Sequence, residues 1–178
     1  MYLYHVERIS MQNDLITIGW REWVTLPDLG LQYIKAKIDS GRETSILHTF
    51  LIEKFEAGGT EMVRFGVHPH QNSPDIAIMT EAPILKQLAG ASLGEPEERF
   101  YVIRTQIIMG NETWPIDLLL ANRDDMNFRL LLGLSAIDQK AVIDPSKSYQ
   151  LGDITEEEFI VAYRESKIAH ENRNSVQE

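Results

Sequence analysis

The strongest constraint on the fold is a stretch in which apolar and polar side chains alternate. Between Leu31 and Asp39, the apolar residues Ile34, Ala36 and Ile38 alternate with Tyr33, Lys35 and Lys37. Side chains on a β-strand point to opposite faces in turn, so this period of two predicts a strand with one buried face. The apolar series ends beside Asp39, which places a carboxylate at the exit of the strand.

Similar strand-like runs, separated by turn residues, make up most of the chain. We predict further strands at residues 15–19, 23–26, 50–55, 62–67, 75–80, 100–109, 113–120, 129–132 and 141–143. Gly110 and Asn111 supply the positive-φ positions that a tight hairpin turn between two of these strands requires. Strands at this spacing indicate an all-β barrel or sandwich.

Helix is predicted at two places. A short helix begins near Ser135. A C-terminal helix follows Thr155, which can act as its N-cap, and the first turn of this helix contains three successive glutamates. The predicted organisation is an N-terminal extension at 1–13, a barrel domain at 14–152, and a C-terminal helix with a polar tail at 153–178. Residues 89–98, rich in glycine and charge, are predicted to form a mobile loop.

Charge and cysteine content exclude several classes of protein. The chain has 27 acidic and 17 basic residues, a formal net charge of -10, which disfavours nucleic acid and anionic membranes as partners. The absence of cysteine excludes disulfides, a thiol nucleophile and Cys-based metal sites. The N-terminus lacks the pattern of a signal peptide and no apolar run could span a bilayer, so we expect a cytoplasmic protein. No phosphate-binding loop or dinucleotide motif is present, and we predict no cofactor.

The segment with the clearest chemical potential is Asp39-Ser40-Gly41, directly after the alternating strand. In an aspartic peptidase the carboxylate faces an attacking water, the hydroxyl can hold the loop, and glycine lets two backbones approach closely. Leu130-Leu131-Leu132-Gly133, much later in the chain, is an apolar strand that ends in glycine. Each pattern is common by itself, as a turn and as a buried strand, and the two together favour an acid-protease arrangement.

Longer segments resemble the bacterial retropepsin-like family that is often labelled "putative ATP-dependent zinc protease". The resemblance runs from Ile18 to Gly152. It is carried by residues 19–30 (GWREWVTLPDLG), 34–41 (IKAKIDSG), 44–48 (TSILH), 67–69 (VHP), 101–105 (YVIRT), 114–116 (WPI), 122–126 (NRDDM), 128–133 (FRLLLG) and 142–149 (VIDPSKSY).

This resemblance implies a closed β-barrel of the acid-protease type, with a short helix after the Leu-Leu-Gly strand. It implies that Asp39 is the catalytic carboxylate and that Ser40, Gly41, Thr44 and Gly133 support its loop. Because the chain has one Asp-Ser-Gly motif, a working site would need a homodimer in which two Asp39 carboxylates share a proton. The expected activity is endopeptidase cleavage of peptide or amide bonds.

Two motif positions depart from the family pattern, which resembles Thr-Gly-Ala-Arg-Thr-Ser after the Asp. Arg42 stands where a small Ala is usual and is followed by Glu43, and Leu134 stands where Arg usually follows the glycine. A cation next to the two carboxylates favours their ionised form and opposes a shared proton. An alternative function is therefore a catalytically silent barrel that binds peptides or supports an assembly.

Histidines allow a third possibility, a metallohydrolase. His68 and His70 flank a proline and could lie on the same side of an extended chain, with His48 or an Asp as a further ligand. Histidines that are satisfied by hydrogen bonds within strands are commoner, so these three are weak candidates and no metal site is predicted.

Overall fold

A computed structural model describes residues 15–90, 99–122 and 127–174. The predicted N-terminal extension and residues 91–98 of the predicted loop lie outside these ranges. The described strands are β1 Ile16–Gly19, β2 Arg21–Leu26, β3 Leu31–Ile38, β4 Ser45–His48, β5 Leu51–Ala57, β6 Thr60–Val67, β7 Ile78–Ala89, β8 Arg99–Met109, β9 Glu112–Ala121, β10 Leu130–Leu132 and β11 Ala141–Asp144. The helices are α1 Leu134–Ile137 and α2 Glu156–Asn174, and a 3-10 turn spans Pro27–Leu29.

The central feature of the fold is a closed barrel of six strands. The strands follow the order β2-β3-β10-β4-β9-β8, and pairing of Thr25 with Ile108 joins β8 back to β2. The sheet continues from β8 through β7 and β6 to β5, while β1 and β11 form a separate parallel pair. The predicted all-β barrel of the acid-protease type is therefore confirmed, with both predicted helices present.

The barrel core comes from the alternation that the sequence displays. On β3, Ile34 and Ala36 are fully buried, and Ile38 is nearly so, whereas Lys37 on the opposite face is exposed. In the turn that joins β8 to β9, Gly110 has the expected positive φ, but Asn111 does not, so the turn uses one such position and not two. Burial of this apolar face supplies most of the driving force for folding.

A buried carboxylate ties the start of the barrel to the segment after β11. Glu22 is fully buried, and its Oε1 accepts hydrogen bonds from the backbone N–H groups of Gly19 (2.6 Å) and Gln150 (2.9 Å). Its Oε2 accepts a third, from the N–H of Leu151, at 3.3 Å. Since a buried charge is stable only with such partners, Glu22 acts as a structural clamp.

Aromatic residues attach the C-terminal helix to the outside of the barrel. Phe159 packs against Trp23 with ring centroids 5.8 Å apart, and the Tyr163 hydroxyl donates a hydrogen bond to the carbonyl of Tyr33 at 2.7 Å. Burial raises the pKa of Tyr163 far above its ordinary value, so the hydroxyl keeps its proton. Within the described residues, no helix is long and apolar enough to cross a membrane.

Candidate active site

Asp39 lies at the exit of β3, as the alternation predicts. Its backbone N–H donates a hydrogen bond to the carbonyl of Leu132 at 2.8 Å, and its carbonyl accepts one from Arg42 at 3.1 Å. Strand β10 lies between β3 and β4, parallel to the first and antiparallel to the second. The end of β10 therefore meets the loop between β3 and β4, residues 39–44, which we call the Asp39 loop.

The start of α1 holds the other end of the Asp39 loop. The N–H of Leu134 donates to the carbonyl of Arg42 at 2.8 Å, and both the N–H and the hydroxyl of Ser135 donate to the carbonyl of Glu43, at 3.1 and 2.7 Å. These contacts fix the loop backbone with bonds that do not involve its side chains. Trp114 on β9 holds α1 in place, because its indole N–H donates a buried hydrogen bond to the carbonyl of Ala136 at 2.8 Å.

Gly133 is required by close approach of the two backbones. A Cβ at this position would lie 2.5 Å from the Glu43 carbonyl oxygen and 2.7 Å from the Thr44 carbonyl carbon, distances that real side chains do not reach. The sequence signal of a strand ending in glycine therefore has a physical cause. Gly133 and Thr44, both predicted as loop support, do come together here.

The middle of the Asp39 loop is open to solvent. Residues 40–43 are exposed, while Asp39 is half-buried and Ser45 is fully buried. The predicted support residues Ser40 and Gly41 thus lie on the outer side of the loop. A partner that approaches this face would meet them directly.

Arg42 pairs with the candidate catalytic carboxylate. Its Nε donates to Oδ2 of Asp39 at 3.2 Å, and the two side chains are 46% and 29% exposed. An exposed pair of this kind contributes little to stability. Its main effect is that a guanidinium occupies one oxygen of the Asp39 carboxylate. Glu43 does not neutralise Arg42 in any described ion pair, and its described contacts run through its backbone carbonyl.

Two residues that hold the site escaped prediction, Ser45 and Ser135. Ser45 Oγ accepts a hydrogen bond from the N–H of Gly133 at 3.0 Å inside the barrel. A hydroxyl next to Thr44 is visible in the sequence, but its partner is 88 positions away along the chain. No local pattern could identify that contact.

The three candidate histidines are not gathered at one place. The His68 ring stacks on Phe50 with centroids 4.2 Å apart and contacts the Ile76 carbonyl at 3.2 Å. His70 contacts the carboxylate of Glu156 at 3.0 Å, and His48 is buried on β4. Among the described residues, no group of three or more His, Asp or Glu side chains could hold a metal ion. The weak metal hypothesis has no support in this arrangement.

A cavity of about 1050 Å³ lies away from the Asp39 loop, between α2, the 3-10 turn and the residues leading into β7. Its lining includes Leu29, His70, Ile78, Glu156 and Tyr163 and none of the predicted catalytic residues. The site deduced from the sequence is therefore the exposed loop around Asp39, not this cavity.

Comparison with known proteins connects this geometry to a family. Residues 17–152 match the family model described as RimB-like, the retropepsin-like aspartic endopeptidase RimB. The chain is 43% identical over 148 residues to a probable alpha-L-glutamate ligase of Parasynechococcus marenigrum, which covers 83% of this chain and 32% of the relative. A probable alpha-L-glutamate ligase of Shewanella pealeana is 40% identical over 144 residues, 80% of this chain and 31% of the relative.

The chain thus spans about a third of the length of the curated relatives that it matches. Among solved structures, a Legionella pneumophila protein of unknown function superimposes with a TM-score of 0.64 at 25% identity. That match covers 76% of this chain and 98% of the Legionella chain, so the likeness extends over nearly the whole of the solved protein.

Proposed function

The chain belongs to the RimB-like family of retropepsin-like aspartic endopeptidases, and we propose that it hydrolyses peptide or amide bonds at a site completed by a second copy of itself. The observation that carries the proposal is the position of Asp39. It follows a buried strand, and its loop is bonded at both ends to the β10–α1 junction. Such anchoring supports a carboxylate that must keep a fixed direction during catalysis.

Gly41 supports the need for a second chain. A Cβ on Gly41 would contact only Oδ1 of Asp39, at an ordinary 3.6 Å, and the residue has no positive φ that would favour glycine. Within one chain, alanine would fit. Close approach of another Asp39 loop to this exposed face gives glycine a purpose, and Ser40 would then hydrogen-bond across the pair.

A second copy in this position would bring two Asp39 carboxylates close together. Neighbouring like charges cannot both form at low cost, so the two groups share one proton. The ionised carboxylate takes a proton from a water molecule whose oxygen attacks the carbonyl carbon, while the protonated carboxyl donates its proton to the carbonyl oxygen. In the second step the carboxyl that is now ionised takes a proton from one hydroxyl of the diol, the C=O bond re-forms and the C–N bond breaks. The amine leaves with the proton of the other carboxyl, which restores the starting dyad.

The names of the relatives suggest a class of substrate. Those longer proteins are named as ligases of glutamate, and ligation of glutamate creates amide bonds that a hydrolase could remove. We therefore propose that the bonds cut by this chain lie next to glutamate residues in a peptide or protein.

One observation favours a second candidate, a silent barrel that binds peptides without cutting them. The guanidinium of Arg42 occupies Oδ2 of Asp39, where the shared proton of a working dyad would be disturbed. If Arg42 only blocks the site, Arg42→Ala would raise cleavage of every peptide. A zinc-dependent protease is not favoured, because the histidines that it would need are apart.

The test is cleavage of a diverse peptide library, followed by mass spectrometry, from about pH 4 to pH 8, across the range where carboxyl groups titrate. Cuts that disappear in Asp39→Ala and persist with a chelator would support the aspartic mechanism. Cuts that persist in Asp39→Ala would contradict it, and cuts lost only to the chelator would favour a metal-dependent reaction. Absence of cuts by folded protein would favour the silent barrel.

A further inference from the structure

Arg42 has a backbone that is held on both sides. Its N–H donates to the Asp39 carbonyl at 3.1 Å, and its own carbonyl accepts from Leu134 at 2.8 Å. The side chain therefore leaves the loop from a fixed point beside the Asp39 carboxylate. A long cation with a fixed base resembles a positioned binding group more than a mobile surface residue.

The guanidinium has donors to spare. Arginine carries five N–H groups, of which the Nε group serves Oδ2 of Asp39. Among the contacts of the described residues, the two Nη groups have no acceptor, and the side chain is 46% exposed. These groups form the planar fork that pairs with a carboxylate through two parallel hydrogen bonds.

We propose that Arg42 binds a carboxylate of the substrate beside the scissile bond and selects acidic peptides; this inference rests on the proposed function. The chain carries a net charge of -10, so long-range electrostatics oppose the approach of an acidic peptide. A cation placed at the reacting centre is the feature that reverses this preference locally. Ala, the small residue usual at this position, would offer no such contact.

The same contact links binding to catalysis. With no substrate, Nε of Arg42 lies 3.2 Å from Oδ2 of Asp39 and occupies that oxygen. A substrate carboxylate competes for the guanidinium and frees that oxygen to share a proton with its counterpart. A neutral peptide leaves Arg42 on Asp39, so acidic substrates gain in kcat as well as in KM.

The experiment uses two peptides that are identical except for Glu or Gln beside the scissile bond. We expect Arg42→Ala to lower kcat/KM for the Glu peptide by about 10- to 100-fold, as loss of a charged hydrogen-bonded pair does. For the Gln peptide, kcat should rise, because the substitution frees Oδ2 of Asp39 from the guanidinium. Arg42→Lys keeps the charge but loses the fork, and it should retain part of the preference.

Arg64→Ala is the matched control, because Arg64 forms a comparably exposed ion pair with Glu81 on β6 and β7. It removes the same charge and should leave the Glu-over-Gln preference unchanged. Equal effects of Arg42→Ala on both peptides, or an equal shift with Arg64→Ala, would overturn the role of Arg42.

Peptide affinity tests the role of Arg42 even if the chain cuts neither peptide. Versions with a reduced amide at the scissile bond cannot be hydrolysed, and fluorescence anisotropy measures their affinity for the parent and for Arg42→Ala. Tighter binding of the Glu version, lost in Arg42→Ala, supports the proposal, whereas equal binding of the two versions overturns it. The proposed aspartic mechanism is tested by a different variant. Cleavage that survives Asp39→Asn would overturn that mechanism and would leave the binding result for Arg42 intact.

Discussion

The backbone N–H of Gly133 donates a hydrogen bond to Oγ of Ser45 over 3.0 Å, inside the barrel behind the Asp39 loop. Ser45 is fully buried, and it is the first residue of β4. One hydroxyl therefore connects the strand that leaves the loop to the strand end that supports the loop from behind. The position of Asp39 depends on this contact as well as on the barrel itself.

We expect Ser45→Ala to lower the free energy of unfolding by about 1–3 kcal/mol, because the buried N–H of Gly133 loses its acceptor. Ser135→Ala is the comparison, since Ser135 also bonds to this region, through Glu43, but is exposed. Water can replace that hydroxyl, so the loss should be smaller. Urea unfolding of both variants measures the difference, and equal losses would show that the buried contact has no special weight.

Two glycines near the loop should respond differently to alanine. Gly133→Ala would press a Cβ onto the Glu43 carbonyl and should destabilise the fold by about 1–3 kcal/mol through overpacking. Gly41→Ala finds room within the chain and should unfold at nearly the parent's urea concentration. Its defect should instead appear in self-association, measured by sedimentation, and in cleavage. A Gly41→Ala variant that associates and cleaves normally would contradict the proposed contact between loops.

The barrel could be predicted where one face of a strand is buried and the other is wet. β3 satisfies that condition, and its bounds are nearly those expected. The hairpin of β8 and β9 also has nearly the expected bounds because Gly110 marks its turn, although both faces of β9 are buried from Leu118 to Ala121. Strand β4 was missed because all four of its residues are buried, which removes the alternation. β7 begins at Ile78 and extends to Ala89, well beyond the predicted 75–80, because pairing with two neighbours stabilises residues of mixed character.

Glu22 should be the most sensitive carboxylate for stability. Glu22→Gln turns an acceptor of three backbone hydrogen bonds into a group whose NH₂ faces N–H donors. We expect a loss of about 2–4 kcal/mol, since buried hydrogen bonds to a charge are among the strongest. Glu53→Gln, on the exposed face of β5, is the control and should change little. Similar urea midpoints for the two variants would rule out the clamp.

The start of α2 should weaken in acid. The backbone N–H and the hydroxyl of Thr155 donate to Glu158 at 2.8 and 2.7 Å and hold the pKa of that carboxyl below its ordinary value. A lowered pKa in the folded state means that the contact stabilises the helix above the unfolded pKa, about 4.3, and is lost as the pH falls through the folded pKa. An NMR titration of the Glu158 carboxyl should show the lowered pKa in the parent and a higher one in Thr155→Ala. Identical titrations in the two proteins would contradict this account.

The site was predictable only in part, for a physical reason. Asp39 and Gly133 belong to short sequence motifs in which the residue types alone indicate a role. Ser45 and Ser135 form hydrogen bonds with backbone groups that only the folded chain brings near. The sequence around Glu22 is that of an exposed acid, because the backbone donors at 150 and 151 are distant along the chain. Contacts of this kind depend on tertiary approach and leave no periodic pattern.

The central claim is that two Asp39 carboxylates, one from each chain, form one active site. Parent and Asp39→Asn protein can be mixed in varying ratio at constant total concentration, allowed to exchange subunits, and assayed for peptide cleavage. If only pairs with two intact Asp39 residues are active, activity falls with the square of the parent fraction, to about one quarter in an equal mixture of a freely exchanging two-fold dimer. A linear fall, to about one half, would mean that each chain works alone and would contradict the shared site.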